Sequence, residues 1–283
     1  MASSQSSKRL NIKELLCTVP ADLSSDESVD LLSITLGRPR EYIYKNPEKK
    51  LSLGNIRAFK KLIQKRLAHW PMAYLRGYQY FFGLKFLVNK HTLVPRPESE
   101  LLVEQTLAYL KKSSLKNPTI MDIGTGSGCL ILSIAKNYNQ PATYIASDFS
   151  SQALKVAHTN ARHLGLKNKI KFTKSNLLKN IPPLKLDVII ANLPYLTNKQ
   201  MTEPSIIHEP KSALWAGAGG LKYYTKLLET LPQFLNKQYL VLLEIDPSQK
   251  DNISKLIKKY LPDSRLEFLP DLAGHIRITK ISF

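Results

Sequence analysis

The sequence predicts an α/β chain: a mostly parallel, seven-stranded sheet covered by helices, an antiparallel hairpin at one sheet edge, and a small helical domain in front. Three observations carry that expectation. Apolar residues recur at three- and four-residue spacing from about residue 9 to 70, with few strand-like alternations. From residue 119 onward, short apolar runs alternate with helical patterns, as parallel strands with crossover helices do. Between the first such run and the first helix lies Gly124-Thr125-Gly126-Ser127-Gly128, a turn whose backbone can approach a ligand closely because glycine has no Cβ.

Taken in order, residues 1–8 (MASSQSSK) are small and polar and read as frayed. They open a helical domain expected over residues 1–72. Within it, Leu51-Ser52-Leu53 precedes a long helix through Ile56, Phe59, Leu62, Ile63 and Leu67, which Pro71 stops. Residues 73–95 change character: aromatic and β-branched residues with Gly77 and Gly83 predict a hairpin-like linker. Residues 96–283 form the large domain. Its first helix starts at Glu98 or Ser99, in Pro95-Arg96-Pro97-Glu98-Ser99-Glu100, and runs through Leu110. The acids Glu98 and Glu100 suit a helix start. Strands are expected at 119–123, 143–147, 170–174, 187–191, 239–245, 265–268 and 275–282. The last two are joined by Leu269-Pro270-Asp271-Leu272-Ala273-Gly274, which leaves no room for a helix and so predicts antiparallel pairing.

Composition narrows the class without choosing the function. Hydrophobic content of 43% and charged content of 22% exclude a disordered chain. A net charge of +19 suits polyanionic partners, yet the lysines are spread along the chain, so direct nucleic-acid contact is allowed but not required. Cys17 and Cys129 are far apart and in no C-x-x-C pattern, which fits a reducing compartment. Neither a signal-peptide h-region nor an 18-residue apolar run is present, so a cytoplasmic protein without a membrane span is expected, a monomer by default. The six histidines lack metal-ligand spacing, and no metal is expected. His158 and His163 read as surface residues, His208 as a loop residue, Cys129 as a packing residue, and Trp70 and Trp215 as core or loop anchors.

The glycine turn and the residues around it point to a nucleoside ligand. Asp122 lies one residue before the end of the preceding strand, and Asp148 lies 20 residues beyond Gly128, at the end of the next strand. At that offset an acid meets ribose hydroxyls in mononucleotide-binding units. The spacing is G-x-G-x-G, not the G-x-G-x-x-G of dinucleotide sites, which favours a nucleoside carrying an amino-acid tail over a pyrophosphate.

Asn192-Leu193-Pro194-Tyr195 closes the strand expected over 187–191, at the same end of the sheet as the glycine turn. A planar –NH2 group, whose lone pair is delocalised, is a poor nucleophile. The Asn192 side-chain oxygen and the Leu193 carbonyl can each accept one of its N–H groups and favour pyramidalisation toward an electrophile. Pro194 fixes the turn and offers no competing N–H. Tyr195 is expected to present its ring face to the planar substrate or to a sulfonium. Such a site works by positioning and electrostatics, with in-line methyl transfer.

Together these residues resemble the class I S-adenosylmethionine-dependent methyltransferases with a Rossmann-like sheet that act on planar amino groups, whose signature is Asn/Asp/Ser-Pro-Pro-Tyr/Phe/Trp. The chain is most similar to the release factor glutamine methyltransferases, the PrmC/HemK family. The resemblance covers nearly the whole sequence: Pro71-x-Ala73-Tyr74-Leu75-x-Gly77, Leu93 through Glu100, Asp122 with the glycine turn, Asp148, Asn192 through Tyr195, Glu209-Pro210-x-x-Ala213-Leu214, Gly220-Leu221, Leu243-Glu244-Ile245 and Asp271-x-x-Gly274. It implies S-adenosylmethionine as cofactor, held by Asp122, Gly124, Thr125, Gly126, Ser127, Gly128, Asp148, Asn176, Leu177 and Asn192. It also implies that Asn192, Leu193, Pro194 and Tyr195 hold the glutamine carboxamide of a release factor's Gly-Gly-Gln tip, giving N5-methylglutamine. The helical domain would dock the release factor body. Leu193 stands where the family usually has a first proline, Asn176 where an acid commonly lies near the adenine, and Ser99 where threonine is usual. The alternative is a DNA or RNA methyltransferase acting on adenine N6 or cytosine N4, which the same tetrapeptide chemistry and the +19 charge would suit but for which no inserted target-recognition domain is evident.

Overall fold

The computed structural model describes residues 9–283, so the reading of residues 1–8 lies outside the described residues. Two compact units emerge, Met1–Gly77 with Pro204–His208, and Tyr78–Glu203 with Glu209–Phe283. The expected linker hairpin therefore belongs to the second unit.

The first unit contains α1 (Ile12–Leu16), α2 (Ser25–Leu36), α3 (Arg40–Lys45), α4 (Leu53–Leu67) and α5 (Met72–Arg76). Asn11 and Ser24 start α1 and α2 with reciprocal capping boxes to Glu14 and Glu27, so the first-turn N–H groups find side-chain acceptors. α4 buries Ile56, Phe59 and Ile63, one helical stripe, in a core shared with Leu15, Leu31, Leu32 and Ile43. It stops at Leu67, after which His69 takes φ +64° and Pro71 caps α5. His208 stacks on Trp70 at 4.6 Å between ring centroids, and its Nε2 lies 2.6 Å from the Ala68 carbonyl. His208 thus serves the packing of this unit.

The second unit runs β1 (Tyr78–Phe81), β2 (Leu84–Leu87), α6 (Glu100–Lys112), β3 (Thr119–Ile123), α7 (Cys129–Asn137), β4 (Thr143–Asp148), α8 (Ser151–His163), β5 (Ile170–Lys174) and β6 (Leu186–Ala191). It continues through α9 (Lys211–Leu214), α10 (Lys222–Thr230), β7 (Leu235–Glu244), α11 (Lys250–Tyr260), β8 (Arg265–Pro270) and β9 (Ile276–Ser282). The sheet order is β5-β4-β3-β6-β7-β9-β8. All pairs from β5 to β7 are parallel, while β9 is antiparallel to both β7 and β8. The expected hairpin is present, with β9 inserted beside β7 and β8 left as the edge. β7 begins at Leu235 instead of 239 because Leu235 already pairs with Leu186, across a register shift before Val188.

Successive residues of the central strands feed opposite faces, Ile120 packing with Leu102 and Ile131, and Met121 with Tyr224 and Leu227. β6 is buried along its whole length, as a strand covered on both faces must be. The β1–β2 hairpin buries Phe81 and Phe86 against Leu102 and Val103 of α6. The fully buried Asn160 of α8 accepts from Leu87 N (2.8 Å) and donates to Leu87 O (3.0 Å) and Ser127 O (2.9 Å), tying the hairpin to the glycine turn. Among the described residues, no helix is long and apolar enough to cross a membrane, and no cluster of His, Cys, Asp or Glu could hold a metal ion.

Candidate active site

Parallel register assembles the site. Ile123 pairs with Ser147 of β4 and Ala191 of β6, and Ala191 pairs with Leu243 of β7. The next residue on each strand is therefore Gly124, Asp148, Asn192 and Glu244, one row across the carboxyl ends of the sheet, where such folds bind ligands. A cleft opens there. Of the residues expected to hold a cofactor or substrate, Gly124, Thr125, Gly126, Ser127, Asp148, Asn176, Leu177, Asn192, Leu193 and Pro194 line it. Asp122, Gly128 and Tyr195 do not.

The turn's three glycines have φ of +77°, +56° and +82°, a conformation side chains resist, which curls the backbone under the cleft. Gly124 and Thr125 donate to the Ser147 carbonyl at 2.8 and 2.9 Å. Asp148 accepts from Gly126 N (2.9 Å) and Ser150 N (2.8 Å), one on each oxygen. Each oxygen keeps a lone-pair site for a ligand hydroxyl. Burial raises Asp148 above the usual carboxylate range, against the lowering effect of the Ser150 and Gly126 N–H groups. Below it, burial pushes Asp122 up to about 7; its Oδ2 accepts from Thr125 Oγ1 at 2.7 Å, while the Asp148 charge adds to the rise. Among the described residues, Asp122 Oδ1 has no hydrogen-bond partner. Its role is to hold the turn from beneath.

Leu177 takes φ +54°, in the left-handed region that side chains disfavour, beside Asn176 on the cleft wall. Phe149, 53% exposed, and Tyr223 supply the aromatic surfaces. These features fit S-adenosylmethionine: acceptors for ribose hydroxyls, an amide for the adenine edge, flat walls, and a glycine turn in which a Cβ on Gly124 or Gly128 would collide with Leu193 or Leu132. Asp148→Ala should weaken S-adenosylhomocysteine binding by about tenfold to a hundredfold, since hydrogen bonds to a charged group contribute about 1.5–3 kcal/mol. Titration calorimetry checks this, and an unchanged Kd would remove Asp148 from the cofactor site.

The tetrapeptide differs from its sequence reading in two respects. Leu193 was expected to act through its carbonyl alone. Its side chain is 3% exposed and packs on the glycine turn so closely that a Cβ on Gly124 would sit 3.0 Å from its Cδ2. Its N–H donates to Tyr224 Oη at 3.3 Å, a bond that proline at this position could not make. The Tyr224 hydroxyl gives its single proton to the Glu244 carbonyl, so the longer 3.4 Å approach to Leu193 O leaves that carbonyl available. Tyr195, expected as an aromatic wall, instead packs against the apolar cluster under the sheet end, with its hydroxyl 3.4 Å from Glu244 Oε1. The buried carboxylate draws the phenol inward, and Tyr223 stands in the cleft.

The sequence marks Ser99 only as a possible helix start and gives Glu244 and Glu209 no site role, although all three lie in the motifs that carry the resemblance. Glu209, with a fully buried side chain, accepts from Val94 N at 2.9 Å and is ion-paired with Arg96. This clamp holds the Leu93–Arg96 strip beside Pro210, both on the cleft wall. Burial raises Glu209 and the Arg96 charge opposes the rise. Cys129, at the start of α7, is pushed up to about 12 by burial, so its thiol stays protonated and packs.

Residues 22–77 match the family described as the PrmC N-terminal domain, and residues 114–241 match a methyltransferase domain. A bifunctional methyltransferase of Rickettsia bellii is 32% identical over 89% of this chain and 50% of its own length. The chain thus spans about half the length of the Rickettsia relatives. A release factor glutamine methyltransferase of Bacillus subtilis is 31% identical over 87% of each chain. Among solved structures, a methyltransferase from Pyrococcus furiosus covers 79% of this chain and 98% of its own at a TM-score of 0.52 and 19% identity, a likeness of fold. Because the Bacillus protein is matched over most of its length at 31% identity, and the helical and sheet portions each match a family description, the chain belongs to the release factor glutamine methyltransferase family.

Proposed function

We propose that this chain transfers a methyl group from S-adenosylmethionine to the side-chain amide nitrogen of the glutamine in the Gly-Gly-Gln tip of peptide chain release factors. The observation that carries the reading is the orientation of Asn192. Its Nδ2 donates to Ser99 Oγ at 3.0 Å, which leaves Oδ1, the acceptor a carboxamide needs, uncommitted to Ser99 on a residue that lines the cleft. The Bacillus subtilis relative, named for release factor glutamine, supports the substrate class.

In this reading S-adenosylmethionine, when bound, supplies an electrophilic methyl group. Asp148 and Asn176 hold its nucleoside, and the glycine turn lets its backbone approach. Asn192 Oδ1 and the Leu193 carbonyl each accept one N–H of the carboxamide, fixing the nitrogen for attack. As the N–CH3 bond forms the S–CH3 bond breaks, S-adenosylhomocysteine leaves, and one of the two N–H protons is lost to solvent. Pro194 keeps both acceptors uncontested, and Tyr195 contributes through its hydroxyl on Glu244. The helical unit docks the body of the release factor, and the chain acts as a cytoplasmic monomer.

Mass spectrometry of the Gly-Gly-Gln peptide, after a release factor is incubated with this protein and labelled S-adenosylmethionine, tests the proposal. One methyl group on the glutamine is expected. With plasmid DNA and ribosomal RNA as parallel acceptors, label confined to nucleic acid would overturn it in favour of a nucleobase methyltransferase.

A further inference from the structure

Asn192 is a useful acceptor only while its oxygen faces the cleft. An amide has nearly the same shape when flipped, and the flipped form would aim an NH2 group at the substrate's NH2. Some neighbour must therefore break the symmetry. We propose that Glu244 and Ser99 are positioning residues that lock the Asn192 amide in its productive orientation by fixing the direction of one hydroxyl proton. The inference rests on the glutamine reading for its kinetic consequence, but its geometry stands apart from the substrate.

Ser99 Oγ is 2.5 Å from Glu244 Oε2 and 3.0 Å from Asn192 Nδ2. Ser99 is 3% exposed and Glu244 2%, so water does not compete. A carboxylate at Glu244 can only accept. Ser99 then spends its single proton on Glu244, and toward Asn192 it offers only a lone pair. Asn192 must meet that lone pair with its NH2 group, which leaves Oδ1 for the substrate. If Glu244 binds a proton it can donate to Ser99 instead. The serine proton is then free to meet the amide oxygen, and the flipped form becomes equally good.

The groups around Glu244 set when this happens. Burial raises its pKa to about 7; the Ser99 hydroxyl opposes this, as do the Arg277 charge from β9 and the Tyr195 hydroxyl, while Glu98 in the turn before α6 adds to the rise. Tyr224 of α10 and Cys129 of α7 also feel the Glu244 charge; both are held neutral by burial and so bring no charge to it. The protonated form is the one that unlocks the amide, so the lock holds above about pH 7 and is lost as the pH falls.

Two readouts on the full chain test this. The first is NMR of the Asn192 side-chain NH2, with S-adenosylhomocysteine bound and no acceptor present. In the wild type its shifts should titrate near neutral pH, and in Glu244→Gln they should not. The second is single-turnover methylation of a release factor. Ser99→Ala should lower kcat by about tenfold to a hundredfold, the scale of a misplaced catalytic group, with KM and cofactor Kd little changed. Ser99→Thr, which keeps the hydroxyl, should restore the rate, and Glu244→Gln should abolish the acid limb of the kcat profile. A Ser99→Ala enzyme with wild-type kcat, or an Asn192 signal that does not titrate, would overturn the inference. A titrating signal in a protein that leaves release factors unmethylated would instead overturn the substrate reading and leave the lock standing.

Discussion

Asn192→Ala lowers the rate of methyl transfer by about 10²–10³-fold, the range seen when one preorganised hydrogen-bonding group is removed from a reacting centre. The loss falls on kcat because the two acceptors matter most as the amide nitrogen pyramidalises and its N–H groups gain acidity. Cofactor affinity changes little: the turn, Asp148 and Asn176 stay in place, and the Ser99 hydroxyl left behind keeps Glu244 as its acceptor. Single-turnover kinetics paired with titration calorimetry of S-adenosylhomocysteine separates the two effects. A variant that methylates at the wild-type rate would show that the tetrapeptide closes the strand and does no chemistry. A variant that cannot bind cofactor would show that Asn192 belongs to the cofactor site instead.

Gly220→Ala destabilises the second unit by about 2–6 kcal/mol, for two reasons that add. Gly220 has φ +68°, where a side chain costs about 1–3 kcal/mol of backbone strain. A Cβ there would also sit 2.3 Å from Gln249 Nε2 and 2.4 Å from the Tyr195 carbonyl. Relieving that overlap costs roughly another 1–3 kcal/mol. The collision lies at a knot: Gln249 Nε2 donates to Tyr195 O and Gly220 O, both at 3.0 Å, and its Oε1 accepts from Asp246 N. The knot anchors the tetrapeptide's far end, so residual activity should fall even below the melting transition. Calorimetry of purified variant and wild type reads the effect as a melting temperature lower by about 5–15 °C. An unchanged transition would mean that the Tyr195 loop yields freely and that the knot does not hold it.

Much of the fold could be read before any coordinates, and the reasons are local. β3 and β6 are short apolar runs bounded by turn residues, and the 269–274 connection is too short to cross a sheet, so its antiparallel pairing follows from length alone. The glycine turn and Asp148 were legible because both sit at fixed distances along one strand–helix–strand unit. The hairpin at 78–87 was recognisable as a hairpin. Its membership in the second unit was not, because that depends on Phe81 and Phe86 finding α6.

The site divides along the same line. Local sequence chose the chemical groups: an amide at a strand end, a proline after the next residue, an acid after the second strand. Which way those groups face was decided elsewhere. Tyr195 turned inward because a carboxylate 49 residues later is buried beside it. Leu193 became a packing residue because Gly124, on the neighbouring strand, leaves room for its side chain. The Asn192 amide is oriented by Ser99, 93 residues away, which is directed in turn by Glu244, a further 145 residues along. Such contacts have no sequence period. They exist only once β6 and β7 lie in register and α6 packs across them, since a hydrogen bond fixes a proton's direction only between groups the fold has already brought within 3 Å and closed off from water.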